Sequence, residues 1–181
     1  MTWVWAVLGI IVAAVIAGLA IVYSTMRRGL RRQLALQARQ AAEFPDWARE
    51  HGYAYSAAFP ESDVERLRGL GPLMPFGDFV FARAEHVFRR VEHDRVRYLL
   101  QLTVFSDPGP DALPRGALTV AVAEVPPAAA TDSETRTPAA SRGQASVHAR
   151  GRWVTSYLGG PLTFASMETA ETGLSRHLQK V

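Results

Sequence analysis

The chain has 181 residues, 48% of them hydrophobic, with 20 basic against 17 acidic side chains for a formal charge of +3. It contains no cysteine, which excludes disulfides, thiolate metal sites and cysteine nucleophiles. Arg27, Arg28, Arg31 and Arg32 alone carry +4, and the other residues are balanced at 16 basic against 17 acidic, which argues against a broad nucleic-acid-binding face, since that needs basic residues spread over the folded surface.

The first 25 residues contain 20 apolar side chains and no charged one, and residues 3–23 form an apolar run of 21. At about 1.5 Å per residue, such a helix crosses a hydrocarbon layer of roughly 30 Å. Trp3 and Trp5 lie at one end of the run and Tyr23 at the other, where amphipathic rings favour the headgroup region. A cleaved signal peptide is the rival, because Ala17-Gly18-Leu19-Ala20 offers small residues. A signal peptide, however, places its positive charge before a shorter apolar run; here four arginines come after it. Residues 1–25 are therefore expected to be a retained single-pass anchor in the cell membrane. Basic flanks stay on the cytoplasmic side, so the N-terminus is expected outside and the C-terminal domain in the cytoplasm.

Gly9, Ala13 and Ala17 recur every four residues. Small residues at that spacing let two helices approach closely, so a homodimer through this face stands beside the plainer reading that Gly and Ala are common in membrane helices. Arg27, Arg28, Arg31 and Arg32 either fix topology alone or dock on membrane lipids, each arginine near an anionic leaflet contributing on the order of 1 kcal/mol.

Leu30, Leu34, Ala38 and Ala41 continue a helical spacing through a basic juxtamembrane segment, residues 26–43. Pro45 then punctuates the chain and opens a short helix, 46–51, closed by Gly52. Next come a short strand at 53–55 and a short helix at 61–70, then a loop carrying Gly69, Gly71, Pro72, Pro75 and Gly77. Residues 79–91 are rich in aromatic and β-branched side chains, Glu92-His93-Asp94 makes a turn, and Val96, Tyr98, Leu100, Leu102 and Val104 alternate with their neighbours. After a loop at 106–114, residues 117–125 make a third strand. Three consecutive strands without an intervening helix favour an antiparallel meander.

Residues 126–146 turn to Ala, Thr, Ser and Pro and read as a flexible insert. Thr131, Ser133, Thr135, Thr137 and Ser141 within it would be reachable by a kinase. A hairpin at 147–158 turns around Arg150-Gly151, and Phe164, Met167, Ala170, Leu174 and Leu178 mark a closing amphipathic helix that Gly173 weakens. The expected fold class is α+β: an N-terminal transmembrane helix, then a small antiparallel sheet (meander plus C-terminal hairpin) with packing helices. Residues 44–125 and 147–181 would together form the single cytoplasmic domain.

Trp47, Ala48, Gly52, Tyr53, Pro75, Phe76 and Gly77, with Arg95 near the turn, carry a resemblance. The stretch 44–125 resembles uncharacterised single-pass membrane proteins of high-GC Gram-positive, actinobacterial-type bacteria. These have an apolar N-terminal helix, basic residues and a W-A-x-x-x-G-aromatic motif. The resemblance implies architecture only and brings no activity.

Catalytic signals are sparse. None of His51, His86, His93, His148 and His177 pairs with another at three- or four-residue spacing. His86 and His93 could face each other across the hairpin near Glu85, Glu92 and Asp94 as a metal site, but a solvated turn rich in charge is the better reading. There is no G-x-S-x-G elbow and no Gly-rich loop before a lysine. Trp47, Tyr53, Tyr55, Trp153 and Tyr157 fit either an aromatic pocket or, more simply, a core. Arg83, Arg89, Arg90, Arg95 and Arg97 fit an acidic partner or lipid surface, or a solvated mixed-charge face. The expectation is a membrane-anchored cytoplasmic interaction domain, without catalysis, cofactor or metal, binding a protein partner or anionic lipid. The alternative is an accessory subunit of a membrane complex recognised through its span, and a small enzyme or ligand sensor comes third.

Overall fold

The computed structural model describes residues 2–69, 71, 73, 76, 80–93, 95–105, 114–139, 141 and 143–179. Two compact units divide the chain, Met1–Ala42 and Glu43–Val181. The first consists of most of α1, the helix Thr2–Glu50. Side chains at 4–17, 20–21 and 29–34 lie outside the described set, and with them Trp5, Gly9, Ala13, Ala17, Arg31 and Arg32. Among the described residues no helix is long and apolar enough to cross a membrane; the expected span at 3–23 falls mostly on undescribed side chains. Trp3, Leu19, Val22, Tyr23, Met26 and Leu36 are exposed, as are Arg27 and Arg28.

Pro45 does not break the helix as expected: α1 runs through it to Glu50. A proline inside a helix costs roughly 3 kcal/mol, but Phe44 and Ala48, one turn apart, are both buried in the core of the second unit. Burying such side chains offsets the loss. The helix stops where predicted. Gly52 adopts φ +72°, its N–H donates to Arg49 O, and the Tyr53 N–H donates to Ala48 O at 2.8 Å. That pair of bonds is a Schellman cap, which needs a left-handed residue that glycine adopts without strain.

The second unit is α+β, with one seven-stranded, wholly antiparallel sheet. The strands are β1 (Ala54–Phe59), β2 (Val80–Glu92), β3 (Arg95–Phe105), β4 (Pro114–Glu124), β5 (Thr131–Thr137), β6 (Ser146–Gly151) and β7 (Trp153–Gly159). Helix α2 (Glu61–Gly69) comes after β1, and α3 (Phe164–Leu178) closes the chain. The spatial order is β1-β2-β3-β4-β7-β6-β5. The expected meander and C-terminal hairpin are therefore one sheet, joined where β4 pairs β7 from Leu118↔Gly159 to Glu124↔Trp153.

Two features depart from the sequence reading. The stretch 126–146 is not wholly irregular: Pro127–Ala129 form a 3₁₀ turn and Thr131–Thr137 pair with β6 as an outer strand. Its composition lacks large apolar groups because the strand lies at the sheet edge with its described side chains exposed, not because it lacks backbone order. Second, β2 does not alternate cleanly because it carries irregularities between Phe81 and Arg83 and between Glu85 and Phe88. His86, at φ +51°, sits in the second, where an extra residue turns both Glu85 and His86 to the same face.

One face packs Val64, Leu67, Leu73 and Phe76 from α2 and the loop after it against Ala84, Val87, Leu100, Leu102, Val120 and Val122. The other carries α3, which lies on β4, β7 and β6 through Met167, Ala170 and Leu174. Thr163 caps α3: its Oγ1 accepts from the Ser166 N–H, and Ser166 Oγ accepts from the Thr163 N–H at 2.8 Å, a reciprocal pair that satisfies two otherwise unbonded donors.

Gly173 belongs to this packing and is not merely a weak point in the helix. A Cβ there would lie 2.5 Å from Ser156 Oγ and 3.0 Å from Ala145 Cβ. Alanine is about 1 kcal/mol better than glycine in a helix, but overpacking costs about 1–3 kcal/mol. Gly173→Ala should therefore be destabilising by up to about 2 kcal/mol in denaturant unfolding, and Ser156→Ala in the same chain should recover part of the loss.

Candidate functional site

The aromatic residues singled out in the sequence divide between the two faces. Trp153 and Tyr157 border the α2-side core, while Trp47, Tyr53 and Tyr55 gather around Phe44 and Phe88 on the other. Phe44 meets His86, Phe88 and Phe164 edge-on, with centroids 5.0, 5.5 and 5.5 Å away, the geometry that ring quadrupoles favour. Trp47 stacks on His51 at 4.1 Å. The Tyr53 hydroxyl donates to Glu171 Oε1 at 2.5 Å and ties α3 to the end of α1; burial, and then Glu171 itself, push the Tyr53 phenol well above its usual range. These rings make a core, not an open pocket.

His86 and His93 do not meet across the hairpin. Both belong to its first arm, His86 in the bulge and His93, at φ +49°, in the turn. The Tyr55 hydroxyl shares a 2.8 Å hydrogen bond with His86 Nδ1, and burial lowers the His86 pKa against the opposing effect of Glu85. Asp94 lies outside the described residues. Among those described, no group of three His, Asp or Glu side chains is placed to hold a metal.

The hairpin arginines do not form one basic face. Arg90 and Arg97 oppose each other across β2 and β3; Arg90 pairs with Glu92 and lies over the Tyr53 ring, 5.8 Å from its centre. Arg89, next to Phe88 in the strand, points to the opposite face. A cleft of about 290 Å³ at this end of the sheet is lined by Arg95 and Arg97 but also by Glu92 and Glu124, so its charges cancel.

A different cleft gathers three arginines from distant parts of the chain. Arg68 in the last turn of α2, Arg150 at the end of β6, and Arg152 in the β6–β7 turn line a space of about 680 Å³, with Trp153 and Gly71 among its walls. The hairpin is tight because Arg150 pairs with Trp153, leaving Gly151-Arg152 as a two-residue turn in which Gly151 takes φ +57°. Glu124 is the one acid lining the cleft. Its Oε1 accepts from Arg152 Nη2 at 2.6 Å and its Oε2 from the Val96 N–H at 3.3 Å. The Val125 N–H donates to Arg152 O at 2.8 Å, so Arg152 is held by main chain and side chain together. Arg68 Nη1 donates to Glu65 Oε1 at 2.9 Å. The sequence reading had Arg150-Gly151 as a turn and 61–70 as a short helix, and did not single out Arg68; nothing local to either showed that tertiary packing brings them to one cleft.

A comparison with protein-family models, curated proteins and solved structures finds no match to this chain.

His148, on β6, is buried, with Nε2 3.2 Å from Glu134 Oε1 on β5. Burial is the largest influence and lowers its pKa; Glu134 acts against that, and Arg136 and Arg150 reinforce it. The folded state therefore holds His86 and His148 neutral at a pH where the unfolded chain, near 6.5, already takes up protons. Their contribution to stability is complete above about pH 6.5 and is lost as pH falls below it. The melting temperature should drop between pH 7.5 and pH 5.5, and His86→Asn with His148→Gln should flatten that dependence. Asparagine is chosen at 86 because it tolerates the left-handed conformation.

Proposed function

We propose that the protein is a membrane-anchored interaction module: a single-pass helix holding an α+β domain at the cytoplasmic surface, where the domain binds a partner or ligand without catalysis. The observation that carries the reading is in the sequence. Residues 3–23 are uniformly apolar, aromatic rings stand at both ends, and Arg27, Arg28, Arg31 and Arg32 come directly after them. Helical structure from Thr2 onward supports it, since a spanning segment must satisfy every backbone polar group internally. The resemblance of 44–125 to actinobacterial-type single-pass proteins agrees in architecture. Trp3, Trp5 and Tyr23 would sit at the two interfaces, and the four arginines would meet anionic headgroups. Gly9, Ala13 and Ala17 remain the candidate helix–helix face.

A reading as an accessory subunit places recognition in the span instead. The two separate on one comparison: a mild-detergent pull-down of the full chain and of a chain with an unrelated apolar span. Partners kept by both place recognition in the domain, and partners lost with the swap place it in the helix. The anchor has its own test. A reporter fused after Val181 should be inaccessible from outside intact cells, and the protein should remain in the membrane pellet after carbonate extraction. Replacing the four arginines with glutamine should yield a mixed or reversed orientation. Release of the chain by carbonate would overturn the anchored reading.

A further inference from the structure

We infer that the cleft between the end of α2 and the β6–β7 turn is a binding site for a phosphate group, carried by a small soluble molecule or by a lipid headgroup. The inference concerns the folded unit, Glu43–Val181; its lipid-headgroup arm rests on the anchored reading, and its soluble-ligand arm does not.

Three arginines line it from two separate parts of the fold, Arg68 from α2 and Arg150 and Arg152 from the β6–β7 hairpin. Guanidinium presents its donors in a rigid fork that matches phosphate oxygens two at a time, which a lysine cannot do. The single carboxylate in the cleft, Glu124, is engaged by Arg152 and by the Val96 N–H, so it orients an arginine more than it opposes an anion. The lining carries three positive charges against one negative, and Glu65, paired with Arg68 at 2.9 Å, brings the balance to one positive. The C-terminus of α2 subtracts about half a charge, so the cleft keeps a small positive excess in which Arg68 and Arg152 are each oriented by a carboxylate. This matters because the chain beyond the four N-terminal arginines is neutral to within one charge: the cleft concentrates cations that composition alone would disperse.

The shape is also suited to a ligand. A space of about 680 Å³ falls within the range of small-molecule sites, roughly 300–1,000 Å³. Trp153, half-buried, gives one wall a flat apolar surface, and Gly71 lies against it, where an added Cβ would stand 3.8 Å from the indole Cδ1. A Cβ at Gly69 or Gly151 would meet nothing within 4 Å, so these glycines leave that part of the rim open. Arg152 is held in place before any ligand arrives, by Glu124 and by the Val125 N–H. Such preorganisation lowers the ordering cost of binding.

The test uses the full chain in nanodiscs of phosphatidylcholine, titrated with pyrophosphate by calorimetry. One-to-one saturable binding is expected. Arg150→Gln should weaken it about tenfold, the scale of one charge-assisted contact, and Arg150→Gln with Arg152→Gln should abolish it. Arg83→Gln removes the same charge from an exposed position on β2 and should leave it unchanged. Unaltered melting temperatures in these variants show that the fold is intact. Nanodiscs containing phosphatidic acid distinguish the two sources. If pyrophosphate no longer binds in them, the lipid headgroup occupies the cleft; if it binds as before, the ligand is soluble. Absence of pyrophosphate binding, or equal weakening by Arg83→Gln, would overturn the inference.

Discussion

The pairing of β4 with β7 is the contact on which the rest of the folded unit depends. Seven register positions, Leu118↔Gly159 to Glu124↔Trp153, join the β1–β4 meander to the C-terminal hairpin. Without it the chain would hold two small sheets, each with an exposed edge that is costly to leave unpaired. With it, α3 has a continuous surface of β4, β7 and β6 to cover, and Gly173 can press against Ser156. The same pairing places Glu124 beside Arg152, so the geometry of the arginine-lined cleft is set by sheet register.

A second constraint acts in β2, toward the other edge of the sheet. Irregularities in β2 let one strand serve two cores. Ala84 and Val87 face the α2 side, whereas Glu85 and His86 both turn to the other. There Glu85 Oε2 accepts from Gln101 Nε2 and Thr103 Oγ1 at 3.0 and 3.2 Å, and Gln101 Oε1 accepts from the Leu162 N–H at 2.9 Å. This polar chain reaches from the bulge to the segment leading into α3. Phe44 completes the face with edge-on ring contacts to residues of β1, β2 and α3, which is why α1 continues past Pro45 instead of stopping there.

Function divides along the same lines. The anchored reading rests on one-dimensional information: an apolar run of the right length, aromatic rings at its ends and a cluster of arginines after it. The cleft rests on three-dimensional information. Its three arginines are 82 and 84 positions apart in the chain, counting from Arg68 to Arg150 and Arg152, and no spacing rule relates them. Together the two proposals describe a domain held near anionic headgroups with a cationic recess of its own.

Local patterns were enough to read six of the seven strands, because alternation in 96–105 and the Gly151 turn depend on neighbours in the chain. They also showed the end of α1 at Gly52 and the extent of α3, where capping and helical periodicity are equally local. Three things were decided only by tertiary structure. Pro45 stays helical because buried partners for Phe44 and Ala48 outweigh the lost hydrogen bond. Thr131–Thr137 become a strand because β6 offers an open edge to an otherwise weakly patterned segment. Arg68, Arg150 and Arg152 share a cleft because β4–β7 pairing and the α2 packing bring distant turns together. Each outcome is set by contacts between residues far apart in sequence, where composition and periodicity carry no information.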